Sequence, residues 1–455
     1  MTIAAELAHN ILNTTYDDLP DLAVDHACMM IASTIASAAA GQSIRSTGIV
    51  RALVRAQGGT PEASIWFSRG AKVPAVNACR ANALASDAAA SDDSDLRTIA
   101  HLGTQLVSST LALAERTGAT GKAVIAAIVP AYEVAGRLAA AIMPNYRNMG
   151  FHGSLSVIFA SAVASGLMLK ITQQQMTQTI AIAAVSMGGL STAADTSEAR
   201  EYFAGNAALL GMNAALAAQQ GYVVEERILE TSKGFFDVYG GEDTDVGSVT
   251  RDWGKEWDIV TDMAIKLVPG GHPSHALGEA AANAAREGNV RAENVESIVV
   301  SQPLDAKRRI GPMKPPSHPK NLVEIAHTPA YFVAAGVADN DFSWIHASDA
   351  KIKDPVIHSL IDKIKVGEPI TQDVQRYQHG ARVTINTKDG KRYTSTVYAP
   401  RGSGARSIAW ADIDAKYHTL VPMAGLGTQN ITDSLAEIHA FRAAKNASRL
   451  ISLLC

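Results

Sequence analysis

The feature that most constrains this chain is its supply of small apolar residues in long, sparsely interrupted stretches. From Ala4 to about Gly221, alanine- and leucine-rich segments alternate with punctuation at Gly58-Gly59-Thr60-Pro61, Gly118-Ala119-Thr120-Gly121, Pro144-Asn145, Gly188-Gly189 and Gly205. Such segments favour helix because alanine loses no side-chain entropy there, and alanine faces let helices approach closely. A tightly packed helical domain is predicted. Local signals agree. Gly118 suits the left-handed position that closes a helix after Glu115-Arg116-Thr117, and Thr120 can cap the next helix, through Ala131 and Arg137.

After about Asp258 the character changes. Val295–Ser301 and Ala381–Thr387 are short and β-branched, and the second leads through Lys388-Asp389-Gly390 into Tyr393–Val397, which reads as a hairpin. Helices are expected at Pro273–Glu287, Ala330–Val337 and Pro355–Ile364, giving a smaller α+β domain. Ser434–Leu454 is amphipathic and is read as a helix that returns to the first domain. The fold class is therefore mainly α: an all-α domain over residues 1–260, completed by 408–455, and an α+β domain over 261–407.

Several function classes are disfavoured. Forty-four acidic against 40 basic residues give a net charge of -4, with no bulk field for nucleic acid. The three cysteines, Cys28, Cys79 and Cys455, are odd in number and lack metal-ligand spacing, which suits a reducing compartment and predicts no metal centre. Met1-Thr2-Ile3-Ala4-Ala5-Glu6 lacks a secretory pattern, so a cytoplasmic location is expected. The most apolar stretch, Leu155–Leu169, falls short of the roughly 18 residues of a membrane span and reads as a core helix. Pro269-Gly270-Gly271-His272 lacks the spacing of a dinucleotide loop.

Four polar clusters stand where helices begin or loops turn: Asp92-Asp93-Ser94 with His101, Gly150-Phe151-His152-Gly153-Ser154, Arg200 before Gly205, and Lys266 to His275. In order and setting they resemble the MmgE/PrpD family of 2-methylcitrate dehydratases, cis-aconitate decarboxylases and iminodisuccinate epimerases. Leu111–Gly121 and Ala131–Arg137 resemble that family's helix pair, and Ala326-His327-Thr328-Pro329-Ala330-Tyr331 its segment before a lid helix. The hairpin followed by Ala415-Lys416-Tyr417-His418 is similar to its C-terminal end. The resemblance covers nearly the whole chain.

There are departures. Where the family often carries a further acid two residues before its Asp-Asp pair, this chain has Ala90, and where it usually has lysine, this chain has Arg200. Val268 replaces an aromatic, His272 is one residue out of register, and His275 is in register.

The resemblance implies an α+β lid, a homodimer, no cofactor, and a small carboxylate as substrate. It also implies His101, His152, His272, His275, Asp92 and Asp93 as catalytic candidates, with Ser94, Ser154, Arg200, Lys266 and Tyr331 binding substrate. Proton transfer beside a carboxylate needs a placed base and a cation to hold the charge, and these residue types supply both. Arginine suits an anchoring role better than proton donation, since its pKa lies above about 12. A lyase of dehydratase or decarboxylase type is expected. An epimerase or a non-catalytic carboxylate binder is the alternative.

Taken singly, each motif has a plainer reading. Asp92, Asp93 and Ser94 can cap a helix, the histidines can be core residues, Arg200 can pair with Glu198 or Glu201, and Lys266 can lie on the surface. Lys307-Arg308-Arg309 reads as a solvated loop.

Overall fold

Alanine-rich helices build most of the first half of the chain in the computed structural model, which describes residues 1–186, 188–242, 244–268, 270–303, 318–326, 328–372 and 379–455. Pro269, His327 and the basic run Lys307-Arg308-Arg309 lie outside the described residues. The chain divides into two units, Met1–Ile265 with Ala409–Cys455, and Lys266–Ile408.

In the first unit the principal helices are α1 (Asp21–Ala40), α2 (Ala75–Ala88), α3 (Leu102–Thr117), α4 (Gly121–Ala141), α5 (Ser154–Met168) and α6 (Ala199–Gln219). α5 is buried on every side, as expected of a helix apolar all round. α6 packs so closely on α5 that a Cβ at Gly211 would lie 2.6 Å from the Ile158 carbonyl oxygen, and one at Gly205 would lie 2.9 Å from that of Arg80 on α2. Gly118 is left-handed at the end of α3, and Thr120 Oγ1 accepts from Ala123 N at the start of α4. Unlike Leu155–Leu169, helices α1 and α4 are long and apolar enough to cross a bilayer, but most of their residues are buried within the protein. A little strand accompanies the helices: β1 (Asp93–Asp95) pairs antiparallel with β2 (Met263–Ile265), Asp93 opposite Ile265. This pairing carries the first unit past residue 260 to Ile265.

Two expectations need correction. First, Ser434–Leu454 is not one helix. Thr428–His439 gives way to a turn at Phe441–Ala443, and a short helix, Ser448–Leu453, follows. Phe441 turns into the core, Ala444 O accepts from Gly121 N at 2.8 Å, and Asn446 Oδ1 accepts from Ser448 N where the new helix begins. Second, the helix expected to reach Ile364 ends at Ile361, and Ile364 opens a strand.

The second unit packs α7 (His275–Glu287) and α8 (Pro329–Asp339) with a four-stranded sheet of β3 (Val295–Ser301), β4 (Ile364–Val366), β5 (Ala381–Thr387) and β6 (Arg392–Val397). The order is β4-β3-β5-β6; β3 and β4 run parallel, the others antiparallel, with Ile298 opposite both Ile364 and Ile385. Leu277, Ala280, Ala281 and Ala284 of α7 share one core with Val333 of α8 and the inward residues Ile298, Val383 and Ile385 of the sheet.

Candidate active site

The site is assembled around the end of α2. Asp87 lies in its last turn, and the chain leaves through Ala90, whose φ of 51° is left-handed. Such a conformation is uncommon outside glycine and marks a turn fixed by its surroundings. Those surroundings are visible. Ser37 Oγ of α1 donates to Ser86 O and lies 2.6 Å from Ser91 Oγ, while Lys416, on the helix Trp410–Leu420, donates to Ser91 O and to Ser33 Oγ.

Beyond β1 the chain turns again. Asp95 Oδ1 accepts from the main-chain N–H groups of Arg97 and Thr98, and Arg97 is gripped by Asp95, Asp258 and Asp262. Burial would lower the Arg97 pKa, but these carboxylates hold it well above its ordinary value. The turn delivers His101 to the N-terminal end of α3.

His101 Nδ1 lies 2.8 Å from Asp87 Oδ1 and 3.0 Å from Asp92 Oδ2. Thr104 Oγ1 donates to the same Asp92 oxygen at 3.0 Å. Carboxylates only accept, so the ring proton sits on Nδ1 and Nε2 is the basic nitrogen. From the start of α6, Arg200 Nε donates to Asp87 Oδ2 at 2.8 Å, and Nη2 donates to the main-chain oxygens of Asp87 and Ala88. Burial pushes the Asp87 carboxyl up, yet the Arg200 charge and the His101 hydrogen bond together hold it below the usual carboxylate range. The Arg200 guanidinium is raised, its burial outweighed by Asp87 and Asp92.

His152 stands just before α5. Its main-chain N–H donates to Gly189 O, its ring Nδ1 accepts from Ser154 N at 3.2 Å, and its ring lies 5.9 Å from that of Phe203. Burial, then the neighbouring His101, depresses its pKa to about 3. Ser154 Oγ donates to Gly188 O, and Gly189, at φ 120°, has no room for a side chain against that hydroxyl.

Asp87, His101, Gln105, His152, Ser154 and Arg200 line one small cavity. Asp87, Asp92 and His101 also offer ligand atoms within 4.8 Å of one another, as a metal site would. Arg200 sits against one of those carboxylates, and its fixed positive charge opposes a divalent ion there.

The sequence candidates do not all converge. Asp93 is turned to the start of α3, both carboxylate oxygens accepting from Gly103 N at 2.9 and 3.0 Å, so it caps that helix from the preceding strand rather than opening a helix of its own. Ser94 is buried within β1 opposite Ala264. Arg200 pairs with Asp87 instead of its sequence neighbours: Glu198 meets Arg45, and Glu201 accepts from Ser46 Oγ.

In the second unit, Tyr331 is buried in the core and its hydroxyl donates to His346 O at 2.7 Å, so it is committed to the fold rather than to a ligand. Lys266 is buried, not a surface residue. His272 and His275 have ring centroids 4.6 Å apart, and His275 stacks on Phe332. Register alone set these two histidines against each other, and the fold makes them a pair.

Asp87 and Gln105 were not singled out from sequence. The available signal for Asp87 was an acid in the last turn of an alanine-rich helix, where the macrodipole disfavours negative charge and a compensating cation is to be expected.

The comparisons with known proteins agree with this architecture. The profile of the MmgE/PrpD N-terminal domain matches residues 5–246, and that of the MmgE/PrpD C-terminal domain matches residues 269–436. A cis-aconitate decarboxylase of Aspergillus terreus (strain NIH 2624 / FGSC A1156) is 25% identical over 423 residues, covering 88% of this chain and 85% of the relative. A cis-aconitate decarboxylase of Mus musculus is 24% identical over 266 residues, covering 56% of this chain and 52% of the relative. Matched along both its halves, the chain belongs to the MmgE/PrpD family.

Proposed function

We propose that this chain is a lyase that acts on a small di- or tricarboxylate by moving a proton at the carbon beside a carboxylate, in a reaction of dehydratase or decarboxylase type. The observation that carries the reading is the seating of His101 Nδ1 between Asp87 and Asp92, on the wall of a small cavity that Arg200 shares.

The chemistry follows from that seating. Nε2 of His101 takes the proton from carbon, and the two carboxylates stabilise the imidazolium that results. The electron pair left on carbon spreads into the substrate carboxylate, which Arg200 anchors. In a dehydration, the pair then expels hydroxide from the neighbouring carbon. In a decarboxylation no proton is first removed: the pair comes from the breaking carbon–carbon bond as carbon dioxide leaves, and His101, entering the cycle protonated from solvent, delivers its proton to carbon. Asp87 supplies the carboxylate that Ala90 lacks, from three residues earlier in the chain.

The similarity to cis-aconitate decarboxylases supports the substrate class. Incubation with cis-aconitate, citrate, 2-methylcitrate and iminodisuccinate in deuterated water tests it. Release of carbon dioxide or water with deuterium in the product is expected. Deuterium exchange without net loss of either would make the chain an isomerase, and no exchange with any of the four would overturn the reading.

A further inference from the structure

The two histidines of the cavity are held in opposite ways. His101 presents Nδ1 to carboxylates, which can only accept, whereas His152 presents Nδ1 to the N–H of Ser154, which can only donate. A ring nitrogen that accepts a main-chain N–H bond carries no proton. The proton of a neutral His152 is therefore on Nε2, and among the described residues that nitrogen has no hydrogen-bond partner while its ring lines the cavity.

We propose that His152 is an uncharged hydrogen-bond donor of the active site, its Nε2–H aimed at the substrate oxygen that gains negative charge, with the Ser154 N–H locking that tautomer. The assignment rests on the proton-transfer reading above and divides the labour it left open: His101 moves the proton, and His152 stabilises the anion. Three further observations fit.

Ser154 is the first residue of α5, so its N–H is one of those the helix itself leaves without an acceptor, and the positive end of the helix discourages a proton on the ring beside it. The charged groups around the ring are mainly cationic or able to become so: His101, Arg147 and Arg200 oppose protonation, and Asp87 favours it. Its depressed pKa, about 3, agrees with a ring that stays neutral across the physiological range. A neutral donor also avoids the cost of placing a second imidazolium beside His101 when that ring takes up a proton.

The test begins without substrate. In protein carrying ¹⁵N-labelled histidine, long-range proton–nitrogen correlation spectra, assigned through His152→Gln, report the tautomer of each ring. The expected result is the neutral Nε2–H form of His152, unchanged from pH 5 to pH 8. An Nδ1–H form, or titration within that window, overturns the proposal whatever the substrate proves to be.

Kinetics supply the second arm, on whichever of the four acids above is turned over. His152→Ala should lower kcat about 10²–10³-fold, the usual cost of a lost oxyanion donor. His152→Gln, whose side-chain amide N–H reaches the place of Nε2, should recover at least about tenfold of that loss, with the pH profile of kcat unmoved in both variants. A His152→Ala profile that loses one of its limbs would make His152 the titrating acid or base and refute the assignment. Should none of the four acids react, the proposed function fails, while the spectra still decide the tautomer.

Discussion

Arg200 Nε donates to the Asp87 carboxylate at 2.8 Å while Nη2 of the same guanidinium donates to the main-chain oxygen of Asp87, also at 2.8 Å. One side chain thus neutralises an acid and closes the end of the helix that bears it, where a cation is favoured by the helix dipole.

Arg200→Lys is expected to raise KM about tenfold or more with a smaller fall in kcat, since an ammonium cannot engage the carboxylate and the carbonyls at once. The thermal midpoint should fall as well, by an amount equivalent to about 1–3 kcal/mol. Steady-state kinetics and a melt check both. Unchanged KM with collapsed kcat would place Arg200 in the transition state rather than in binding.

Asp87→Asn keeps the shape of the side chain but removes its charge from His101 and Arg200. Turnover should fall by about two orders of magnitude or more, because the His101 imidazolium loses its nearest counter-charge. Activity within a factor of about two of the parent would show that Asp92 alone suffices.

Asp92 and Asp93 should behave differently despite being adjacent. Asp93→Ala, which removes the cap on Gly103, is expected to cost about 1–2 kcal/mol of stability while sparing turnover per folded molecule. Asp92→Asn is expected to do the reverse. Denaturation curves beside active-site-normalised rates would distinguish them, and a pair of variants equally impaired in catalysis would contradict the division.

His152 makes a prediction about acid. Its pKa is about 3 in the fold and 6.5 when unperturbed, so between these values the unfolded chain binds a proton that the folded chain does not. Stability therefore rises with pH across this window and is lost as pH falls from 6.5 toward 3, at up to about 1.4 kcal/mol per unit. Asp87, whose pKa is lowered, adds stability that is present above the usual carboxylate range and disappears only as pH falls through its lower folded value. Chemical denaturation at pH 4 and pH 6 should show a shallower pH dependence in His152→Gln than in the parent. Equal slopes would mean that the ring is solvated.

Much of this site was legible because its residues stand at chain features that sequence reveals: His101 before a helix, His152 in a glycine turn, Arg200 at a helix start. Asp93 parts from Asp92 for a geometric reason. Successive residues of an extended chain face opposite sides, so a run of polar residues in a strand cannot all reach one cavity. The partner of Arg200 was hidden by distance, since Asp87 lies 113 positions away and two glutamates lie beside it in sequence. The strand Ile364–Val366 escaped notice because three residues carry no clear alternation, and only its parallel pairing with β3 defines it. The hairpin, with a left-handed Gly390 and full cross-strand pairing, declared itself locally.

The hydrogen bond from Lys416 to Ser91 spans 325 residues of chain. As the polypeptide emerges from the ribosome, helices α1 to α6 are complete long before the residue that secures the loop beside Asp92 has been made. Domains tend to consolidate as units during synthesis, and contacts of such separation come late. The nascent protein therefore carries an unsecured loop beside Asp92 for most of its translation, and truncations before Lys416 should yield helical but inactive chains.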